Sequence, residues 1–247
     1  MNNSESGHWL TASSVVVPGN EFIDVWRIGL TDSNLECEDI LSEDECRRVE
    51  KFAFEAGRST FVRSRCSLRR ILSLCLGCPP DKIEFRYNDH DKPELAYPIH
   101  DDIHFNLSHS GEIALICVSK GRHTGIDVNH LGRTTGWKAV AKRTFSDAEQ
   151  ASFASYSESE QERIFYSVWS QKEAYTKAIG DGFSYGFQNI TVAIDPGSRM
   201  GLVADDKCPG AIDGWQIFAI DAAPGCVAAL AYDGVGKPSI RQWDFVA

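Results

Sequence analysis

Residues Trp169 to Lys177 read WSQKEAYTK. A capping box, Ser157-Glu158-Ser159-Glu160, opens the helix that carries them, and Gly180 and Gly182 mark where it stops. Trp169, Glu173 and Lys177 are spaced by four, so they share one helix face. Upstream lies Gly125-Ile126-Asp127-Val128-Asn129, which reads as a strand. Alternation puts Asp127 and Asn129 on one face and Ile126 and Val128 on the other. Taken alone, Glu173 and Lys177 are a solvated helix pair with Trp169 in the core, and Asp127 is an acid capping a turn. Taken together, two carboxylates from distant segments, with lysines beside one, suit a magnesium ion that holds a phosphate.

The chain has 247 residues, 43% hydrophobic and 24% charged, enough for one large or two smaller cored domains. The opening MNNSESGHWLTASS has no basic start followed by an apolar run, and apolar runs such as Ile113 to Val118 are too short to span a bilayer. A cytoplasmic protein, free of the membrane, is expected. Eight scattered cysteines are read as reduced thiols. The CxxC of Cys75 and Cys78 lacks a second pair to complete a zinc site. A net charge of −10 argues against nucleic-acid binding, so any polyanion site must be local. One candidate is residues 54–72, with five arginines against one glutamate.

The opening 20 residues are polar and read as loose. Phe22 to Leu30 alternates as a strand. The capping box Ser42-Glu43-Asp44-Glu45 starts a helix expected to run to about Ala56, and a second helix covers about Arg58 to Leu76, ending at Gly77. On it Phe61, Leu68, Leu72 and Cys75 share a face, Arg58, Arg65 and Arg69 stripe its edge, and Arg63 and Arg70 point to water. Lys82 to Tyr87, Ile113 to Val118 and Gly125 onward read as strands. Ser108-His109-Ser110 could form a turn whose hydroxyls bond the backbone. A capping box at Ser146-Asp147-Ala148-Glu149 and strands at 189–194, 216–220 and 226–232 complete the pattern. Helices followed by strands in each half indicate an α+β fold. No G-x-S-x-G elbow, Walker loop or GxGxxG after a strand is present.

In order, the chain shows the arginine-rich FVRSRCSLRRIL, then KPEL, FNLSHSG, GIDV, RTFSDAE and WSQKEAYTK. From about residue 42 to 190 this series resembles the Sfp-type 4'-phosphopantetheinyl transferases. The resemblance implies two similar α+β halves about a pseudo-twofold axis, 1–122 on the coenzyme A nucleotide side and 123–247 with the metal motifs, and an active site in the cleft between them. It implies transfer of the phosphopantetheine arm of coenzyme A to a serine of an acyl or peptidyl carrier protein, releasing 3',5'-ADP, as in a holo-[acyl-carrier-protein] synthase. Fatty acid, polyketide and nonribosomal peptide carriers all stay open, and a monomer is expected.

By the same resemblance Asp127 and Glu173 match the metal ligands, for magnesium or manganese. Glu173 or a metal-bound water takes the serine proton, and Lys177 contacts the pyrophosphate. His109 and Lys92 match residues around the 3'-phosphate, with Ser108 nearby. Arg65 matches a position used for the same phosphates, with Arg58 and Arg48 as looser candidates. Lys172 could offset charge near Glu173. Many members have Asp-x-Glu where this chain has Asp127-Val128-Asn129, so Asn129 is read as a neutral oxygen ligand. The competing expectation is a non-catalytic module of the same fold that binds coenzyme A or a carrier protein.

Overall fold

The computed structural model describes residues 9–11, 16–31, 37, 39–132, 136–194, 200–236 and 238–246. Most of the opening segment read as loose lies outside these residues. Within it, Leu10–Thr11 forms a short strand, β1. Then come β2 (Phe22–Gly29), α1 (Glu43–Glu50), α2 (Glu55–Leu76), β3 (Glu84–Tyr87), β4 (Pro93–Tyr97), β5 (Ile103–Ser110) and β6 (Ile113–Lys120). Next are β7 (Thr124–His130), α3 (Trp137–Thr144), α4 (Asp147–Phe153), α5 (Glu158–Ile179), β8 (Ile190–Val192), β9 (Leu202–Asp205), α6 (Ala211–Gly214), β10 (Trp215–Ile220) and β11 (Cys226–Asp233). The last strand is β12 (Ser239–Phe245). No helix among the described residues is long and apolar enough to cross a membrane.

The chain divides into two compact units, one made of His8–Gly121 with Pro238–Ala247, the other built on Arg122–Lys237. Each unit repeats one α+β plan. In the first, β2 pairs antiparallel with β6 and β6 with β5. In the second, β7 pairs antiparallel with β11 and β11 with β10. Between the first strand and the other two, each unit inserts a short capped helix, a 22-residue helix and a two-stranded hairpin. Both long helices end at a glycine in the left-handed region, Gly77 (φ 65°) and Gly180 (φ 95°).

The repetition extends to a buried ion pair. Glu45 and Glu149 are the glutamates of the capping boxes that open α1 and α4. Each accepts from a cation eight residues before the terminal glycine of the long helix, Arg69 Nε at 2.7 Å and Lys172 Nζ at 2.5 Å. Each cation also ties loop carbonyls. Arg69 Nη1 donates to Pro80 and Ile83, and Lys172 Nζ to Thr144 and Phe187. The capping box therefore does two jobs, starting its own helix and bracing the long one.

Arg69 thus leaves the edge stripe that its spacing suggests, and it is fully buried. Arg63 and Arg70 are half-buried rather than turned to water. The first helix stops at Glu50 instead of near Ala56 because Phe52 leaves it to pack on Phe61, ring centroids 5.3 Å apart. Residues 108–110 extend β5 instead of turning. The sequence reading assigns all of 123–247 to the second half. In the structure β12 crosses back and pairs parallel with β2. Arg241 and Trp243 of β12 both bond the buried Asp24, and Trp243 stacks on Trp26 at 5.6 Å.

The two cores differ in how closely the helix approaches the sheet. Around α2 the filler is large: Trp26, Leu68, Ile71, Leu72, Phe105 and Ile116. Where α5 meets β7 and β11 the residues are Ala174, Ala178, Gly125, Ala229 and Ala231, and bulk returns only farther along the helix, at Phe165 and Trp169. Small residues at a contact let two backbones come together, and this close approach positions the candidate site.

Candidate active site

β7 presents Gly125, Asp127 and Asn129 to α5 in turn. At Gly125 a Cβ would lie 2.2 Å from the Ala174 carbonyl oxygen and 2.5 Å from the Ala178 nitrogen. Only glycine allows the strand to lie this close. Two residues on, Asp127 is 5% exposed, and its Oδ1 accepts from Lys177 Nζ at 2.6 Å. Lys177 also stands 3.9 Å from Glu173 Oε2, one turn back on α5. Asp127 and Glu173 therefore converge on one ammonium.

Burial pushes the Glu173 carboxyl above its ordinary range. Lys177 pulls it back down, and the Asp127 charge adds to the rise. Asn129 turns its amide nitrogen, not its oxygen, toward Asp127, donating to Oδ2 at 2.6 Å and to Ser170 Oγ at 3.0 Å. Ser170 Oγ in turn donates to the Val227 carbonyl on β11, at 3.4 Å. The Asn129 nitrogen thus steadies Asp127, and a ligand role would fall to its oxygen. Ser170 went unread, although it sits inside WSQKEAYTK, because nothing in its spacing distinguishes it. Lys172, next to Glu173 in sequence, faces away into the core with Glu149.

Hard oxygen donors suit magnesium, which keeps several waters and commonly takes one or two carboxylates. Among the described residues no three His, Cys, Asp or Glu side chains gather. Asp127 and Glu173 are oxygen donors of that kind, and the Lys177 ammonium lies 2.6 Å from the first and 3.9 Å from the second.

In the first unit, Arg48 and Arg65 meet at Tyr87, their guanidinium carbons 4.0 and 5.9 Å from its ring centroid. Tyr87 is a residue that the sequence reading saw only as strand. Arg65 is 8% exposed and also stands over Phe61, at 5.4 Å. Its Nη1 has no hydrogen-bond partner among the described residues. Burial lowers its hold on its proton, and nearby Arg48 adds to that. A buried guanidinium with an unused N–H is suited to an anion. Arg48 is shared with Asp44 and Asp91, and Arg58 pairs with Glu55 at the start of α2. Lys92 lies in the β3–β4 turn, where burial lowers its pKa. Ser108 and His109 are neighbours on β5, so the pleat sends them to opposite faces, Ser108 buried and His109 exposed.

Comparison with known proteins completes the picture. A family model described as the 4'-phosphopantetheinyl transferase superfamily matches residues 123–217, and one for the N-terminal part of a 4'-phosphopantetheinyl transferase matches 30–121. The chain is 32% identical over 232 residues to the 4'-phosphopantetheinyl transferase HetI of Nostoc sp., covering 92% of this chain and 94% of that protein. It is 29% identical to the 4'-phosphopantetheinyl transferase of Bacillus subtilis, over 66% of this chain and 69% of that one. A solved holo-(acyl-carrier-protein) synthase from Bacillus anthracis, in complex with CoA, is similar at 19% identity with a TM-score of 0.38, over 46% of this chain and 96% of that one. The chain belongs to the 4'-phosphopantetheinyl transferase superfamily, and its reaction is the transfer of the phosphopantetheine arm of coenzyme A to a carrier-protein serine.

Proposed function

We propose that Asp127, Glu173 and Lys177 form the reacting end of this transferase, with magnesium or manganese as its metal and 3',5'-ADP as the product released. The carrier is an acyl or peptidyl carrier protein; with the former, the activity is that of a holo-[acyl-carrier-protein] synthase. The observation that carries this reading is the convergence of two carboxylates from separate elements on the Lys177 ammonium.

Asp127 and Glu173 would hold the metal, which when bound offsets charge on the pyrophosphate. The serine oxygen forms a bond to the β-phosphorus as the bond to the 3',5'-ADP oxygen breaks. Glu173 would accept the serine proton, and burial, which raises its carboxyl above the ordinary range, makes it a stronger base. Lys177 moves its charge between Asp127 and the phosphate oxygens, so the departing ADP leaves beside a cation. Asn129 and Ser170 keep Asp127 from turning while Lys177 does so. Arg65, its Nη1 unused, is the strongest candidate in the first unit for the nucleotide's phosphate, with Lys92, His109 and Ser108 as further candidates and Arg58 the weakest because Glu55 engages it.

The test is the intact mass of an apo carrier protein after incubation with coenzyme A and magnesium. The native enzyme adds one phosphopantetheine group. Glu173→Gln lowers kcat/KM by about 10^2 to 10^4-fold, the usual contribution of a positioned base, and Asp127→Ala abolishes magnesium dependence along with activity. Full activity in Glu173→Gln would remove it from the reaction. Arg65→Met raises KM for coenzyme A about tenfold or more, as loss of a charged hydrogen bond of about 1.5–3 kcal/mol implies. An unchanged KM would take the nucleotide phosphate away from Arg65.

A further inference from the structure

Two cysteines distant in sequence come together in the first unit. Cys66 is fully buried on the middle of α2, and Cys37, half-buried, lies before α1. The Cys66 sulfur donates to the Cys37 carbonyl oxygen at 3.9 Å, which sets the two residues side by side. Both are free thiols. Arg63 and Arg70, on the flanking turns of α2, add positive charge around Cys37. The Cys66 thiol and these guanidiniums favour the Cys37 thiolate, while the same contact and burial keep the proton on Cys66. One partner is therefore the half-buried, more reactive thiol and the other its fully buried neighbour. This is the division of labour between an attacking and a resolving cysteine.

We propose that Cys37 and Cys66 are a redox-responsive pair, closing to an intramolecular disulfide when the protein meets a small-molecule disulfide such as oxidised glutathione. The Cys37 thiolate attacks one glutathione sulfur, forming a mixed disulfide and releasing one glutathione thiolate, which takes up a proton. Cys66 then loses its proton and attacks the Cys37 sulfur, and the second glutathione leaves and is protonated. Two protein thiols are oxidised to one disulfide, and one oxidised glutathione is reduced to two thiols. The bond covalently ties the segment before α1 to the middle of α2.

The full-length protein is incubated with oxidised glutathione, remaining thiols are blocked with N-ethylmaleimide, and the digest is mapped by mass spectrometry. The expected product is one cross-linked peptide pair joining Cys37 to Cys66, absent in Cys37→Ser and reversed by dithiothreitol. A glutathione adduct that persists on Cys37, a bridge from Cys37 to the exposed Cys46, or no oxidation at all would overturn the pairing. Alkylation of the native protein by iodoacetamide at pH 7 gives an independent reading that needs no variant at the buried position. Cys37 should react faster than the more exposed Cys46 and Cys208, and slower reaction would remove it as the attacking thiol.

Discussion

Lys172→Met should destabilise the protein by about 3–5 kcal/mol, the cost of leaving one member of a buried ion pair without its partner. Lys172 and Glu149 are each 1% exposed, and the Lys172 ammonium donates to Glu149 Oε2, Thr144 O and Phe187 O. Methionine replaces the stem at similar volume but supplies none of these three bonds. Among the described residues the Glu149 carboxylate keeps only its backbone donors, Ser146 and Val192. Domains of this kind hold about 5–15 kcal/mol in all, so the loss takes a large share. Urea unfolding measures it. The double variant Glu149→Gln, Lys172→Met should recover part of the loss, because a neutral amide at 149 is cheaper to bury than an unpaired charge. Lys172 is adjacent in sequence to Glu173, so activity is the second reading. A core strut predicts that turnover per folded molecule is kept. A residue of the chemistry predicts that turnover falls while the fold holds. Unfolding within about 1 kcal/mol of the native protein would show that the pair contributes little.

Lys172 also marks where sequence reading stops. Periodicity placed α5, its capping box and its terminal glycine, and it placed Asp127 and Asn129 on one strand face, because these depend on spacing within a single element. It put Lys177 on the face of Glu173 but gave no place to Lys172, the sequence neighbour of Glu173. That place comes with the close approach of α5 to β7, which turns Lys177 toward Asp127 and Lys172 into the core. Arg69 is the same case in the first unit. Its place on an arginine stripe suggested a charged edge, and only tertiary contact with Glu45 removes it to the interior. The shared plan of the two units is faint in the sequence for a related reason. The two units share topology and the position of a buried cation, but the residues differ, Arg69 in one and Lys172 in the other, and the packing around them differs more. β12 and β9 escaped because each depends on a partner strand far away in the chain or across a turn. The donor role of the Asn129 amide likewise needed Ser170, which nothing local to Asn129 announces.

The close approach itself rests on one atom's absence, and Gly125→Ala should therefore cost more than any other single methyl group near the site. The new Cβ would sit 2.2 Å from the Ala174 oxygen and 2.5 Å from the Ala178 nitrogen. Both are helix backbone atoms, engaged in the hydrogen bonding of α5, so no side chain can swing away to make room. Strand and helix must part by roughly 1 Å to restore ordinary contact, and overpacking of this kind costs about 1–3 kcal/mol, occasionally more. The displacement falls where Asp127 meets Lys177 at 2.6 Å. A misplacement of about 1 Å can cost about 10^2-fold in rate, so kcat/KM should fall by about that factor even in the fraction that stays folded. The expected signature is two losses together, a lower urea midpoint and a lower turnover per folded molecule. Lys172→Met should show only the first, which separates bracing the helix from setting its distance to the strand. If Gly125→Ala kept native turnover while losing stability, the Asp127–Lys177 contact would tolerate a shift of strand against helix, and the spacing of these two elements would not govern the chemistry.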